Sequence, residues 1–295
     1  MRVARFSHDG EVGYGLVVGA NEAADRPGPA SGANGTSAAG VAGGAAGGAA
    51  GDEGPLMVAQ LAGHPFGGRA EDVKLTGARF PLSQVRLLAP ILPSKVVCVG
   101  KNYADHVREM GGAEPPPEPV IFLKPSTSVC GPGDPILRPA GLSERVDYEG
   151  ELAVVIGRLC KQVTAERVGE VIFGYTCAND VTARDLQARD GQWTRAKGFD
   201  TFCPLGPWIE TGIDPADLAL TTRLNDEVRQ SSRTSLLLRD VTTLVSYVSE
   251  VMTLLPGDVL LTGTPAGIGP MSRGDEVSVT IEGIGTLSNP VTDRD

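Results

Sequence analysis

The sequence predicts an α+β fold that is mostly β, with short helices. Three observations predict it. Short apolar runs bounded by Gly, Pro and Asp outnumber the stretches with helical spacing. An Asp-Gly pair joins two alternating segments at the start of the chain, as in a hairpin. Only one long stretch, SLLLRDVTTLVSYVSEVMTLLPGD at 235–258, carries a clear amphipathic helix. There is no internal repeat.

The elements follow in order. RVARF alternates, Asp9 and Gly10 mark the tight turn, and EVGYGLVVG returns. Residues 27–54 are almost wholly Gly, Ala and Ser. Such a stretch cannot bury enough apolar surface to offset its ordering entropy, so it reads as a disordered insertion in a surface loop. Order resumes at LMVAQL, 56–61, and VRLLAPILPSK, 85–95, leads into a second region. The boundaries are a small β-rich N-terminal domain at 1–90 and a larger domain at 91–295. In the larger one, KVVCVG (95–100) is a short buried strand. NYADHVREMG (102–111) has helical spacing and a glycine C-cap. PVIFLKP (119–125) is a strand closed by proline, and VDYEGELAVVIG (146–157) is another. TAERVGEVIFGYTCANDVTARDLQ (164–187) begins as helix and becomes strand at FGYTCAND. DVLLTGTPAGIG and DEVSVTIEGIGTLSNPV close the chain with strands and Gly-rich turns.

Composition narrows the function. The formal charge of −10 leaves no surplus of Lys and Arg for tracking phosphates, so no nucleic-acid partner is expected. The five cysteines are odd in number and none forms a CxxC. That argues against a zinc site or a disulfide framework and for reduced thiols, hence a cytoplasmic protein. No apolar run is long enough to span a membrane, and the first residues lack a signal-peptide core.

Four groups of residues could carry chemistry. His106 and Glu109 lie three apart on a helical stretch, so they share a face. A carboxylate there can fix the imidazole tautomer, as a general base needs; the alternative is a surface ion pair. Glu149 and Glu151 lie two apart on a strand and point the same way. With Asp180 they would form an all-oxygen site suited to Mg²⁺ or Mn²⁺, with Ca²⁺ possible, rather than Zn²⁺. The alternative is three exposed acids on an edge strand and a loop. Lys197, in the aromatic- and Gly-rich QWTRAKGFDTFCPLGPW, is either a contact for an anion or a solvated loop lysine. TGTPAGIG could present backbone N–H groups to an anion but has neither the P-loop GK[ST] nor the GxGxxG spacing.

Taken together and in this order, GKNYADHVREMG, PVIFLKPST, VDYEGELAVVIG, GYTCANDVTARDLQ, QWTRAKGFDTFCPLGPW and LLPGDVLLTGTPAGIGP resemble the fumarylacetoacetate hydrolase family. The resemblance spans about two thirds of the chain. It implies a mixed β-roll or sandwich with short helices, and a homodimer. It implies a divalent ion on Glu149, Glu151 and Asp180, and catalytic roles for His106, Glu109 and Lys197. Arg184, Gln187 and Thr264 match substrate-contact positions, and Lys101 is counted with them. The large fumarylacetoacetate-cleaving enzymes carry an extra Asp ligand and a Tyr before the histidine. Here Val99 and Lys101 stand seven and five residues before His106, which favours the smaller branch of the family.

That branch implies a small anionic 2-oxo acid, or its enol, as substrate. The expected reaction is C–C bond hydrolysis or decarboxylation through a metal-stabilised enolate, of the acylpyruvate, fumarylpyruvate or oxaloacetate type. Isomerisation of 2-hydroxyhepta-2,4-diene-1,7-dioate is the alternative. A non-catalytic binding protein on the same fold is a second one.

Overall fold

The computed structural model describes residues 1–19, 55–66 and 73–294. The insertion expected at 27–54 lies outside them. The described chain is 44% strand and 18% helix, so the mostly-β expectation holds.

The Asp-Gly hairpin forms as the sequence requires. Arg2–His8 pairs with Glu11–Gly19, and Asp9 and Gly10 both adopt positive φ, 50° and 84°. Two positive φ values in a two-residue turn match the twist of the flanking strands. This hairpin does not stand apart. Arg2–His8 also pairs with Cys203–Glu210, in the register Arg2 to Glu210. One twelve-stranded sheet therefore runs through both halves of the chain. From its N-terminal edge it passes through Leu75–Pro81, Leu56–Leu61, Glu11–Gly19 and Arg2–His8. It continues through Cys203–Glu210, Ile172–Asn179, Gly150–Ile156, Val259–Leu261, Val96–Gly100 and Val120–Lys124.

A five-stranded sheet, built from Glu227–Arg233, Ala219–Leu224, Glu276–Ile281, Gly285–Asp293 and Ile136–Arg138, supplies the second layer. Leu220, Val279, Ile281 and Leu287 from it pack against Leu152, Val154 and Ile156 of the large sheet. The helix Val241–Val251 closes the same core with Val241, Leu244, Val245 and Val248, an i, i+3, i+4, i+7 stripe. Its N-cap is Asp240, whose carboxylate accepts from the Thr243 N–H at 2.8 Å.

VDYEGELAVVIG departs from its expectation as one strand. Val146–Tyr148 belongs to a three-stranded sheet with Thr182–Ala183 and Gly269–Pro270, whereas Gly150–Ile156 lies in the large sheet. Glu149 is the residue of transfer. Its N–H donates to the Asn179 side chain at 2.9 Å and its carbonyl accepts from the Asp180 N–H at 2.8 Å. The side-chain pattern carries no mark of a change of sheet, because it reports which faces are buried and not which strands are paired. Gly150–Ile156 is buried along its whole length, which explains the apolar run at 152–156.

Val259–Leu261 and Val96–Gly100 run parallel and lead into the turns that carry the candidate site. Asp258, fully buried, ties them together. Its carboxylate accepts from Ser94 Oγ at 2.5 Å, from the Leu255 N–H at 2.8 Å and from Lys95 through both main chain and ammonium. Asp258→Ala is expected to lower stability by roughly 3 kcal/mol, since it strands buried donors and an ammonium. Urea denaturation checks this; a loss below about 1 kcal/mol, the worth of one ordinary hydrogen bond, contradicts it.

Candidate active site

The parallel strand pair ends in two turns that face each other. Val96–Gly100 runs into Lys101 and Asn102, then into the helix Ala104–Glu109. Val259–Leu261 runs into Gly263 and Thr264. Asn102 stitches the two together, donating to the carbonyls of Thr262 at 2.8 Å and Arg239 at 2.9 Å. Gly263 is required here: its φ is +103°, and a Cβ would lie 2.8 Å from Asn102 Cβ.

Between these turns lies a pocket of about 400 Å³, mouth included. It is lined by His106, Lys101, Glu149, Glu151, Asp180, Arg184, Gln187, Lys197 and Thr264. Glu109 completes the set through His106. All ten residues named from the sequence thus meet at one place, although they come from stretches up to 163 positions apart. Val99, Met110, Phe122 and Trp193 supply an apolar wall.

Ligand oxygens of Glu149, Glu151 and Asp180 lie within 4.8 Å of one another, and all three residues are buried. Two short segments position them. Glu149 and Glu151 flank the change of sheet, and Asp180 follows the end of Ile172–Asn179, the strand paired with Gly150–Ile156. The surrounding charges are not shared evenly. Asp180 accepts from Lys124 Nζ at 2.6 Å and from Lys197 Nζ at 2.7 Å. Glu149 accepts from Lys197 at 2.8 Å and from Arg184 Nη2 at 2.5 Å. Burial opposes ionisation of Glu149, but Lys197 and then Arg184 outweigh it and hold the carboxyl well below its usual range. Burial also works against the Lys197 ammonium, and Asp180 and Glu149 more than offset it, raising its pKa.

Glu151 differs. Among the described residues its carboxylate accepts one hydrogen bond, from the Gly263 N–H at 2.6 Å, and has no cationic partner. Burial, then the charges of Asp180 and Glu149, push it well above the carboxylate range. Among the described residues Glu151 is therefore the one carboxylate of the three with no ammonium or guanidinium on it. Three converging carboxylates with no sulfur or imidazole donor make the cluster a seat for a hard divalent cation. The residues present fit such an ion.

His106, 6% exposed, hydrogen-bonds through Nδ1 to Glu109 Oε2 at 3.1 Å. A carboxylate only accepts, so Nδ1 is the donor, and in a neutral imidazole that puts the lone pair on Nε2. The other Glu109 oxygen accepts from the Gly267 N–H at 2.9 Å, which fastens the helix to the Gly-rich turn. The histidine of the pair is thus buried, whereas Glu109 lies at the surface beside it. Lys197 is not in a solvated loop. It ends the short helix Thr194–Lys197, is 2% exposed, and places Nζ 5.0 Å from the Phe122 ring centroid.

Sequence reasoning passed over Lys124 and Asp147. Lys124 is 1% exposed and reaches Asp180 and the Val181 carbonyl, 3.1 Å away. Asp147 is fully buried and holds Arg184 Nε at 2.8 Å and Arg145 at 2.9 Å. The signal existed in both cases. Each is a lone charge inside an apolar run, VIFLK and VDY, where charges seldom stand unpaired.

Residues 95–292 match the family described as fumarylacetoacetate (FAA) hydrolase C-terminal, and residues 55–90 match that described as Rv2993c-like, N-terminal. The chain is 61% identical over 235 residues to Protein Rv2993c of Mycobacterium tuberculosis, covering 79% of this chain and 86% of that protein. It is 46% identical to the mitochondrial oxaloacetate tautomerase Fahd2a of Rattus norvegicus, over 72% of this chain and 71% of that one. Among solved structures, it resembles the 5-carboxymethyl-2-hydroxymuconate delta-isomerase of Mycobacterium smegmatis, at 50% identity and TM-score 0.81 over the whole of both chains. It also resembles a maleylpyruvate hydrolase of Sphingobium solved with manganese(II) and pyruvate, at 29% identity and TM-score 0.72, again over both whole chains. Among the described residues no helix is long and apolar enough to cross a membrane. With two thirds of its length matching the family and its acidic triad, His–Glu pair and lysine gathered in one pocket, the chain belongs to the fumarylacetoacetate hydrolase family.

Proposed function

We propose that this protein is a divalent-metal-dependent enzyme that forms the enolate of a 2-oxo acid and moves a proton at C3. The observation that carries the reading is the pocket itself. It joins three buried carboxylates, one of them without a cation beside it among the described residues, to an imidazole held through Nδ1 and lining the same cavity. Mg²⁺ or Mn²⁺ on Glu149, Glu151 and Asp180 would act as a Lewis acid on the C1 carboxylate and C2 oxygen. The tautomerase relative at 46% identity and the manganese–pyruvate complex of the hydrolase at 29% support this reading.

The side chains divide the remaining work. In ketonisation the enol O–H proton would pass to His106 Nε2 and from there to C3, and the reverse in enolisation, with Glu109 orienting the ring. Lys197 keeps a positive charge beside the developing oxyanion. Arg184 uses Nε on Asp147, Nη2 on Glu149 and Nη1 on Gln187 at 2.7 Å, so it and Gln187 approach a substrate carboxylate as one rigid unit. The Thr264 hydroxyl is committed to the Gly150 carbonyl at 2.9 Å and accepts from Gln230 at 2.7 Å. Its contact with substrate would therefore use the backbone N–H. The active form would be a homodimer in the cytoplasm.

His106→Ala is expected to lower kcat for ketonisation of enol-oxaloacetate by about 10²–10⁴-fold, the usual worth of a positioned base. The thermal shift caused by Mg²⁺ should survive, because His106 is not a ligand. Wild-type rates in that variant, or full activity in excess chelator, remove the reading. Hydrolysis or decarboxylation is the second reading, favoured by the maleylpyruvate hydrolase likeness, since the same base can deliver water to a distal carbonyl. A panel of oxaloacetate, acylpyruvates and 2-hydroxyhepta-2,4-diene-1,7-dioate sorts these reactions.

A further inference from the structure

The proposed chemistry uses Lys197 and Arg184 and leaves Lys101 over. Lys101 lies at the exposed mouth of the pocket, whereas Glu149, Glu151 and Asp180 form its buried floor. Arg184 and Lys197 are both bound to carboxylates. Lys101 has no ion-pair partner among the described residues. Among the described residues it is therefore the one cation lining the pocket that no carboxylate of the protein holds.

Its backbone shows that this placement is enforced. Lys101 has φ +60°, a left-handed conformation that side-chain-bearing residues adopt rarely. Both neighbours hold it there. Gly100 is packed so closely that a Cβ would lie 2.8 Å from Trp193 Cζ3. The Asn102 carbonyl accepts from the Leu238 N–H at 2.8 Å, and its side-chain oxygen accepts from the Arg239 N–H at 2.9 Å. Its amide donates to the carbonyls of Arg239 and Thr262. Glycine would occupy this turn without strain, yet the residue is lysine. Fixed on both sides, this backbone sets the direction in which the lysine side chain leaves the turn.

We propose that Lys101 binds the distal carboxylate of the substrate, so that the pocket selects dicarboxylic 2-oxo acids over monocarboxylic ones. This rests on the enolate reading of the same site. The 2-oxo acid end would occupy the buried floor. The carbon chain would run along the wall made by Met110, Phe122 and Trp193, and the second carboxylate would emerge beside Lys101. A neutral distal group would find the same wall but leave the lysine without a partner.

The test is calorimetric binding, with Mg²⁺ present, of two pairs that differ only in the second carboxylate: oxaloacetate with 2-oxobutanoate, and 2-oxoglutarate with 2-oxopentanoate. Wild type should bind the diacid of at least one pair about tenfold or more tighter, the usual worth of a charge-assisted contact. Lys101→Met and Lys101→Gly should erase that ratio, and Lys101→Arg should keep it. Lys101→Gly should also show an unchanged or higher Tm, which separates the side chain from the backbone. No preference in wild type, or a preference kept in Lys101→Met, overturns the role of Lys101. Oxalate serves as the separate control for the floor of the site. If wild type shows no Mg²⁺-dependent shift with oxalate, the enolate reading falls and takes this one with it. An oxalate shift beside an unchanged ratio defeats Lys101 alone.

Discussion

Glu151→Gln is expected to abolish metal-dependent turnover, by at least about 10³-fold, while leaving the metal-stripped protein as stable as wild type or more so. The two halves of this result have different causes. The amide removes one of three oxygen anions at the divalent site, and that site is what the proposed Lewis-acid catalysis depends on. Stability is spared because, among the described residues, Glu151 has no cationic partner to abandon. Its one hydrogen bond comes from the Gly263 N–H, and an amide oxygen accepts from the same donor. Burial and the neighbouring Asp180 and Glu149 already disfavour its charge, so the neutral amide relieves repulsion in the stripped protein. Mg²⁺ at a hundredfold excess over Kd should raise wild-type stability by about 2.7 kcal/mol. That gain should vanish in the variant. Thermal unfolding with and without Mg²⁺, beside a turnover assay, reads both. A variant that keeps its Mg²⁺ shift refutes the assignment of Glu151 as a ligand.

Asp180→Asn is expected to behave oppositely in stability. Both of its oxygens are engaged by ammonium groups, Lys124 on one side and Lys197 on the other. Lys124 is 1% exposed, and Lys197 retains Glu149 while Lys124 retains only a carbonyl. Neutralising Asp180 leaves Lys124 buried without a counter-charge, a loss of roughly 3–5 kcal/mol. Turnover should be lost as well. The double variant Lys124→Met with Asp180→Asn should recover most of the stability and none of the metal shift, because an apolar chain then fills the space of the buried ammonium. Denaturant unfolding of the two variants decides this. If the single variant is as stable as wild type, Lys124 is not held by Asp180, and the account of the cluster fails.

These two glutamate and aspartate positions show how far the sequence could be read. The residues of the cluster were legible because their chemistry and order are local facts: Glu149 and Glu151 two apart, His106 and Glu109 three apart, a Gly-rich turn after an apolar strand. The hairpin at Asp9 and Gly10, the helix over Val241–Val251 and the buried strand Val96–Gly100 were legible for the same reason. Side-chain periodicity and turn preference act within a few residues. The transfer of VDYEGELAVVIG between two sheets was not legible, because a side-chain pattern reports burial and not the strands that pair.

What the sequence by itself determined is therefore a mostly-β chain, its main elements and a set of residues of the right chemical type. Only the tertiary structure decided which charges share partners. Lys124 meets Asp180 across 56 positions and Arg184 meets Asp147 across 37, and no local pattern encodes either pairing. Only the folded chain shows that, among the described residues, Glu151 alone of the three clustered carboxylates lacks a cation and Lys101 alone of the pocket cations lacks an acid. The physical reason is that Coulomb interaction and desolvation depend on distance and burial in space, and sheet pairing between remote segments sets both.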